Sequence, residues 1–342
     1  MKILNSLVSV FAFISVAIVT VSAHADENAI EYVERKTAEV LKIDRRQVDE
    51  WIEGRSSIAV VGAATLESDD ASEIIGKRHQ LAQIAIMNAK LRLSEKLGAI
   101  LNASETMEMK GVADGKKEKA TITTRSKIEF LSKHQILGTA VLLQGESYLN
   151  GEYVMAVSIV WSPELQKSAQ TALVGNGMTA TAEPGKYSLE EWIKTKINPA
   201  LVVGPRQFVD DKGVRHFIGF ASMPAAKLPT NVRAKGVIIS RKGIQSACFA
   251  LRSDVETQSL AENILKQTAV DDMEETEVSS TLNESICQRF HGAVPPVNAL
   301  FENENGVDFI EVTHPLFPDI KMVVYACELI GDIPGINKKS KK

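Results

Sequence analysis

Residue types able to do chemistry are scattered through this chain, and the first test is whether their spacing matches any reaction. Gly175 to Ala180, GNGMTA, has the G-x-G-x-x-A order of a dinucleotide-binding turn. That turn works only between a buried strand and a helix, whose N-terminal amides hold the pyrophosphate. No apolar strand precedes it here and Pro184-Gly185 falls where the helix should run, so the segment reads as linker. Glu67, Asp69, Asp70 and Glu73 offer oxygens to a hard cation, but without the ligand order and mid-loop glycine of an EF-hand. Carboxylates ahead of a helix favour its N-terminus in any case, and capping is the expected role. The histidines beyond residue 25, namely His79, His134, His216, His291 and His314, share no HExxH or HxH spacing. Each is expected as a surface or partly satisfied side chain. With no G-x-S-x-G elbow and no P-loop, the expectation is a protein that is not an enzyme, with no catalytic, cofactor-binding or metal-ligating residues and no cofactor.

The cysteines, Cys248, Cys287 and Cys327, all fall in the C-terminal half. In an oxidising compartment one pair can bridge, and Cys287 with Cys327 is the preferred pairing because both lie in strand-like stretches. The alternative is three buried thiols acting as small apolar side chains. Compartment is set by the N-terminus. An uncharged run from Ile3 to Ser22 follows Lys2 and ends in Ala23-His24-Ala25, the small-residue pattern of a signal-peptidase site. Cleavage after Ala25 is favoured over an uncleaved anchor, because Asp26 and Glu27 follow at once. That implies a periplasmic or secreted protein with no membrane span after cleavage. Removing the segment takes away one Lys and no acid, moving the formal net charge from -4 to -5. So acidic a chain argues against nucleic acid as partner, since phosphate binding needs a concentrated basic surface.

These residues have to be positioned by elements, and the apolar periodicity supplies them. Ile30, Val33, Ala38, Val40, Leu41, Val48 and Ile52 fit one long or two short amphipathic helices ended by Gly54. Ser57 to Leu66 reads as a buried strand. A long helix follows, with Ala82, Ala85 and Ala89 along one face, able to lie close on a sheet. Glu105 to Ala120 reads as an exposed loop, and TITTRSKIEFL, HQILGTAVLLQGESYL and EYVMAVSIVW as strands, the last two joined at Asn150-Gly151, a strong hairpin signal.

The signature D-E-W-I at Asp49 to Ile52 returns as E-E-W-I at Glu190 to Ile193. Gly138 pairs with Gly292, Asn150-Gly151 with Asn305-Gly306, and Pro163 with Pro315. The reading is a tandem duplication: an α+β chain of two related units, each a long helix packed on an antiparallel meander sheet. The boundaries are 1–25 signal peptide, 26–164 first domain, 165–186 linker, 187–331 second domain and 332–342 basic tail. Trp51 and Trp192 are the expected repeat anchors, each holding a helix end on its core, and the sharper alternative makes them exposed binding residues. Ile320 to Ile330 reads as a strand added to the second copy, and Asp271 to Ser280 as a solvated acidic stretch.

A strand with a glycine (VVGAAT), a helix with spaced alanines (QLAQIAIMNAKLRLSEKLG) and a later meander together resemble the LPP20-like envelope domain and its relative, the N-terminal domain of the flagellar ring protein FlgT. The similarity covers roughly residues 55 to 165, with an echo in 200 to 330. It implies an assembly role in a bacterial envelope without catalysis. The chain departs from many members in lacking a lipidation cysteine, and flagellar association does not carry over. The functional expectation is a protein-binding or scaffolding module whose partners are other envelope proteins. The alternative is a small-ligand or glycan-binding protein using a cleft between the domains.

Overall fold

A computed structural model describes residues 27–52, 57–101, 139–163, 165–166, 185–255, 297–302 and 306–330. Helix α1 (Ala29–Leu41) starts where the Asn28 side chain accepts from the Ile30 amide and ends at Lys42, which takes a left-handed φ of 52°. The expected second helix is replaced by a 3-10 turn at Arg45–Gln47, capped by Asp44, and the short strand β1 (Trp51–Ile52). Local hydrogen bonding explains the change. Asp49, at φ 70°, donates its amide to Ala59 O and accepts the Val61 amide on its carboxylate. A helix here would leave that stretch of sheet edge without these partners.

Strand β2 (Ser57–Glu67) leads into the 31-residue helix α2 (Ala71–Leu101), then β3 (Ala140–Leu149) and β4 (Glu152–Trp161). Asn150 and Gly151 both have positive φ, 55° and 80°, as the hairpin between β3 and β4 requires. The described sheet is antiparallel in the order β1-β2-β4-β3, so the β3–β4 hairpin lies with β4 beside β2. Helix α1 covers one face, with Tyr32, Val33 and Leu41 against Ala59, Val61, Val154 and Ala156.

Helix α3 (Leu189–Thr195), capped by Ser188, precedes strands β5 (Gly204–Val209) and β6 (Arg215–Pro224). Their connection holds the expected turn, with Gly213 at φ 78°. Helix α4 (Val232–Val255) and strands β7 (Val297–Ala299), β8 (Ile310–His314) and β9 (Phe317–Leu329) complete the described fold. The second sheet runs β5-β6-β9-β7, with β8 also paired to β9. Its strand-helix-hairpin order places β9 beside β6 as β4 lies beside β2. The hairpin in that position is therefore β8–β9, turning at Pro315 and Leu316, whereas Gly306 precedes β8. Ile320 to Ile330 thus falls in β9, which lies between β6 and β7 and not at an edge. Its unbroken buried run Met322 to Cys327 suits a strand flanked on both sides, and the alternating exposure of β8 suits an edge.

One apolar core joins the sheets. On α2, Ala85 and Ala89 lie on Gly62 of β2, Ala82 lies on Gly204 of β5, and Gly76 approaches Pro224. On α4, Gly243 and Ala247 lie on Gly219 of β6. A methyl group at Gly62 or Gly219 would fall on helix backbone, so each site requires glycine for close approach. Among the described residues no helix is long and apolar enough to cross a membrane. The linker's GNGMTA, the strand TITTRSKIEFL and the segments at Glu105 to Ala120 and Asp271 to Ser280 lie outside the described residues.

The glycine contacts lead to opposite expectations for two substitutions. Gly62→Ala should destabilise by about 3 kcal/mol or more, because backbone must move to admit the methyl. Gly76→Ala, whose new methyl meets only Pro224 Cδ at 3.9 Å, should stabilise by about 0.5–1 kcal/mol through helix propensity. Urea denaturation of the two variants checks both signs.

Candidate functional site

Strand alternation puts Gln144 and Glu146 on one face of β3, and both are buried. A carboxylate there needs partners, and α2 delivers one. Arg78 Nε donates to Glu146 Oε2 at 2.9 Å and Nη2 to Oε1 at 2.6 Å, a two-point ion pair with Arg78 wholly buried. Gln144 Nε2 donates to Oε1 at 3.0 Å, and Tyr153 of β4 donates its hydroxyl to Oε2 at 2.5 Å. His314, at the end of β8, places Nε2 3.0 Å from the same oxygen. Its Nδ1 accepts the Leu316 amide at 3.2 Å, which fixes the proton on Nε2 and lets a neutral imidazole donate to Glu146.

The remaining donors of Arg78 reach the second half of the chain. Nη1 donates to Ser222 Oγ of β6 at 3.1 Å, and Nη2 to the carbonyls of Ala200 and Leu201 at 3.3 and 3.1 Å. Arg206 of β5, 1% exposed, joins through Gln144 Oε1 and its own neighbour's carbonyl, Pro205 O. Among the described residues it has no carboxylate partner, and its Nε has no hydrogen-bond acceptor. The network thus holds two guanidinium groups and one carboxylate.

Electrostatics set what it can do. Burial opposes the Glu146 charge, but Arg78 and His314 overrule it and hold the carboxyl well below its usual range. Burial and the Arg78 charge push His314 down against the pull of Glu146, so it stays neutral. Burial and Glu146 raise Tyr153 far above the ordinary phenol range. Burial lowers Arg206 to about 9, with Glu146 pulling the other way. The net effect lowers Glu146 and His314 and raises Tyr153. The arrangement can hold two sheets together.

Residues weighed from the sequence fall in several places. Asp70 caps α2, its carboxylate accepting the Ser72 amide at 2.8 Å, and Ser68 donates to Glu73 at 2.7 Å. His79, His216 and His314 are all buried rather than at the surface, with His79 Nδ1 and His216 Nε2 lacking a hydrogen-bond partner among the described residues, while His134 and His291 lie outside the described residues. Burial and the nearby Lys242 charge push His79 down to about 3. His216 sits between Asp210 and Glu328. Trp192 is buried on α3 and stacks on Phe208 at 4.5 Å between ring centres, but Trp51 belongs to strand β1, so the two signatures occupy different elements. Cys248 and Cys327 are buried on α4 and β9; Cys287 lies outside the described residues. Among the described residues no group of three or more His, Cys, Asp or Glu could hold a metal ion.

Sequence reasoning passed over Arg78, Glu146, Tyr153 and Arg206. The available signal was Gln144 and Glu146, polar residues two apart inside an otherwise apolar strand.

No family model matches the chain, and no curated protein matches it. Among solved structures, a hypothetical protein of Francisella tularensis is similar at 10% identity and a TM-score of 0.50, covering 95% of this chain and 99% of that one. That likeness is one of fold alone, and the fold is α+β.

The charge imbalance separates two variants. Glu146→Gln leaves both guanidinium groups buried without an anion and should cost about 3–5 kcal/mol. Arg206→Met removes a charge that has no carboxylate partner and should change stability by about 1 kcal/mol at most, or increase it. Equal losses in urea denaturation would show that the pair and the lone guanidinium are not distinguished as described.

Proposed function

We propose that the chain is an exported, non-catalytic envelope protein that binds and organises other envelope proteins through its surface. The two halves are read as related units, each a long helix on an antiparallel sheet. Export rests on the N-terminal segment and its cleavage pattern, and the envelope setting on the resemblance to the LPP20-like domain. One observation carries the binding reading. The glycine contacts align the long helices, Ala85 with Gly243 and Ala89 with Ala247, so that Ile74 corresponds to Val232 and His79 to Val237. Ile74 and His79 are 0% and 2% exposed on α2, which packs against both sheets, while Val232 and Val237 are 52% and 63% exposed on α4. With Ile238 they leave apolar surface uncovered on a helix whose counterpart is covered.

A photo-crosslinker at Val237, compared with one at the solvent-facing Arg46, tests the reading in intact cells. The expected result is a discrete protein adduct from 237 only, abolished by Ile238→Asp with folding stability changed by less than about 0.5 kcal/mol. Adducts that are the same from both positions, or that survive Ile238→Asp, would remove the basis for a binding surface on α4. Turnover of a substrate by the purified protein would remove the non-catalytic part.

A further inference from the structure

His216 lies on β6 where the edge of the second sheet meets the end of the connection between the halves. Its Nδ1 is 2.5 Å from Glu328 Oε1 of β9, and its Nε2 is 3.3 Å from Asp210 Oδ2 in the β5–β6 turn. The imidazole is 9% exposed. Phe208 of β5 packs beside it at 6.1 Å between ring centres, and among the described residues the charged groups that face it are these two carboxylates, one from the turn and one from β9.

A neutral imidazole carries one N–H. If that proton serves Glu328, Nε2 faces a carboxylate oxygen 3.3 Å away without a hydrogen bond to it, and the doubly protonated ring meets both neighbours as opposite charges. Asp210 is also the post on which the turn is built. Its Oδ1 accepts the amides of Lys212 and Val214 at 2.9 and 2.7 Å, and its carbonyl accepts those of Gly213 and Gly185 at 3.0 and 2.6 Å. Asp211 adds a bond from its amide to Tyr187 O. Whatever happens at His216 is thereby passed to the turn and to residues 185–187.

We propose that Asp210, His216 and Glu328 form a proton-operated clasp, which fastens the β5–β6 turn and residues 185–187 to β9 when the imidazole carries both protons and slackens them when it loses one.

The electrostatics agree in sign. Burial pushes His216 down, but the hydrogen bond and charge of Glu328, with those of Asp210, leave it raised above 6.5. A group raised on folding contributes stability fully below its unfolded value and loses it as pH climbs through the folded value. Asp210, buried but held down by the Val214 and Lys212 amides and by His216, keeps its charge on the acid side until pH falls below 3.8. The clasp is therefore closed on the acid side of 6.5 and opens as pH climbs through the raised value of His216.

Amide hydrogen exchange of the purified full chain, corrected for the intrinsic pH dependence of exchange, reads the device while NMR follows the His216 ring. Protection at Gly185, Gly213 and Val214 should fall by about tenfold for each pKa unit by which His216 is raised, and with the same midpoint as the ring. Protection at Val157 and Ile159 of β4 should not follow it. In His216→Gln, which still donates one hydrogen bond, protection at the three amides should be low and independent of this titration. Should that variant unfold, the ring titration and exchange of the unaltered protein decide alone. Protection that ignores the His216 midpoint, or a ring that titrates below 6.5, would overturn the clasp.

Discussion

The Arg78–Glu146 pair is the constraint from which the rest of the packing takes its register. Each ion sits where water cannot reach it, and neither would be tolerated there alone. A buried pair of this kind adds little net stability over a well-packed apolar contact, so its consequence is positional. Arg78 satisfies Glu146 of the first sheet and Ser222 and Leu201 O of the second half with different nitrogens of one planar group. A slip of α2 by one residue would break both sets together. Tyr153, Gln144 and His314 then fill the remaining acceptor directions of the carboxylate, which fixes β3, β4 and β8 around the same point.

Close backbone approach makes this reach possible. Arg78, Ala82, Ala85 and Ala89 follow one another at helical spacing, and the three alanines lie on glycines of the two sheets. Larger residues there would lift α2 from the sheets and draw the guanidinium away from its acceptors. Small residues and the buried charge are parts of one solution. The same helix also closes an exposed flank: Asn88 and Arg92 donate to the carbonyls of Ala63 and Val61 at 2.7 and 2.6 Å, on the side of β2 that β1 leaves open. Asp49 pairs with Arg92 and completes this edge.

Much of the first sheet was legible in the sequence because its signals are local. Asn150-Gly151 states its own turn, the apolar run of β2 its strand, and Ala85 and Ala89 their contact. The stretch around Trp51 misled because amphipathic spacing ignores what Asp49 bonds to, and those partners lie ten and twelve residues away. The repeat was traced through Asn305-Gly306 because a turn dipeptide is conspicuous, yet central position is decided by continuous burial, and β9 has that. The polar network was the least legible part. Its members come from six strands and one helix, 244 residues separate Arg78 from Met322, and no single segment carries more than two polar residues in a largely apolar strand. The burial of His314 was illegible for the same reason, since what makes it tolerable is a carboxylate 168 residues earlier.

The two long helices show how one architecture acquires different tasks. At the position on α4 that corresponds to Arg78 stands Gly236, and the space beside it is taken by Phe309. The second half therefore fills with an aromatic ring what the first half fills with an ion pair. An ion pair demands partners in fixed directions, and α2 finds them in both halves, so the sheet that supplies Ser222 is bound to cover it. Phe309 makes no such demand. It leaves α4 free to pack on its own sheet and to keep Val232, Val237 and Ile238 toward solvent. On the proposed correspondence of the two halves, an aromatic ring in place of a buried charge goes with a helix face that stays toward solvent.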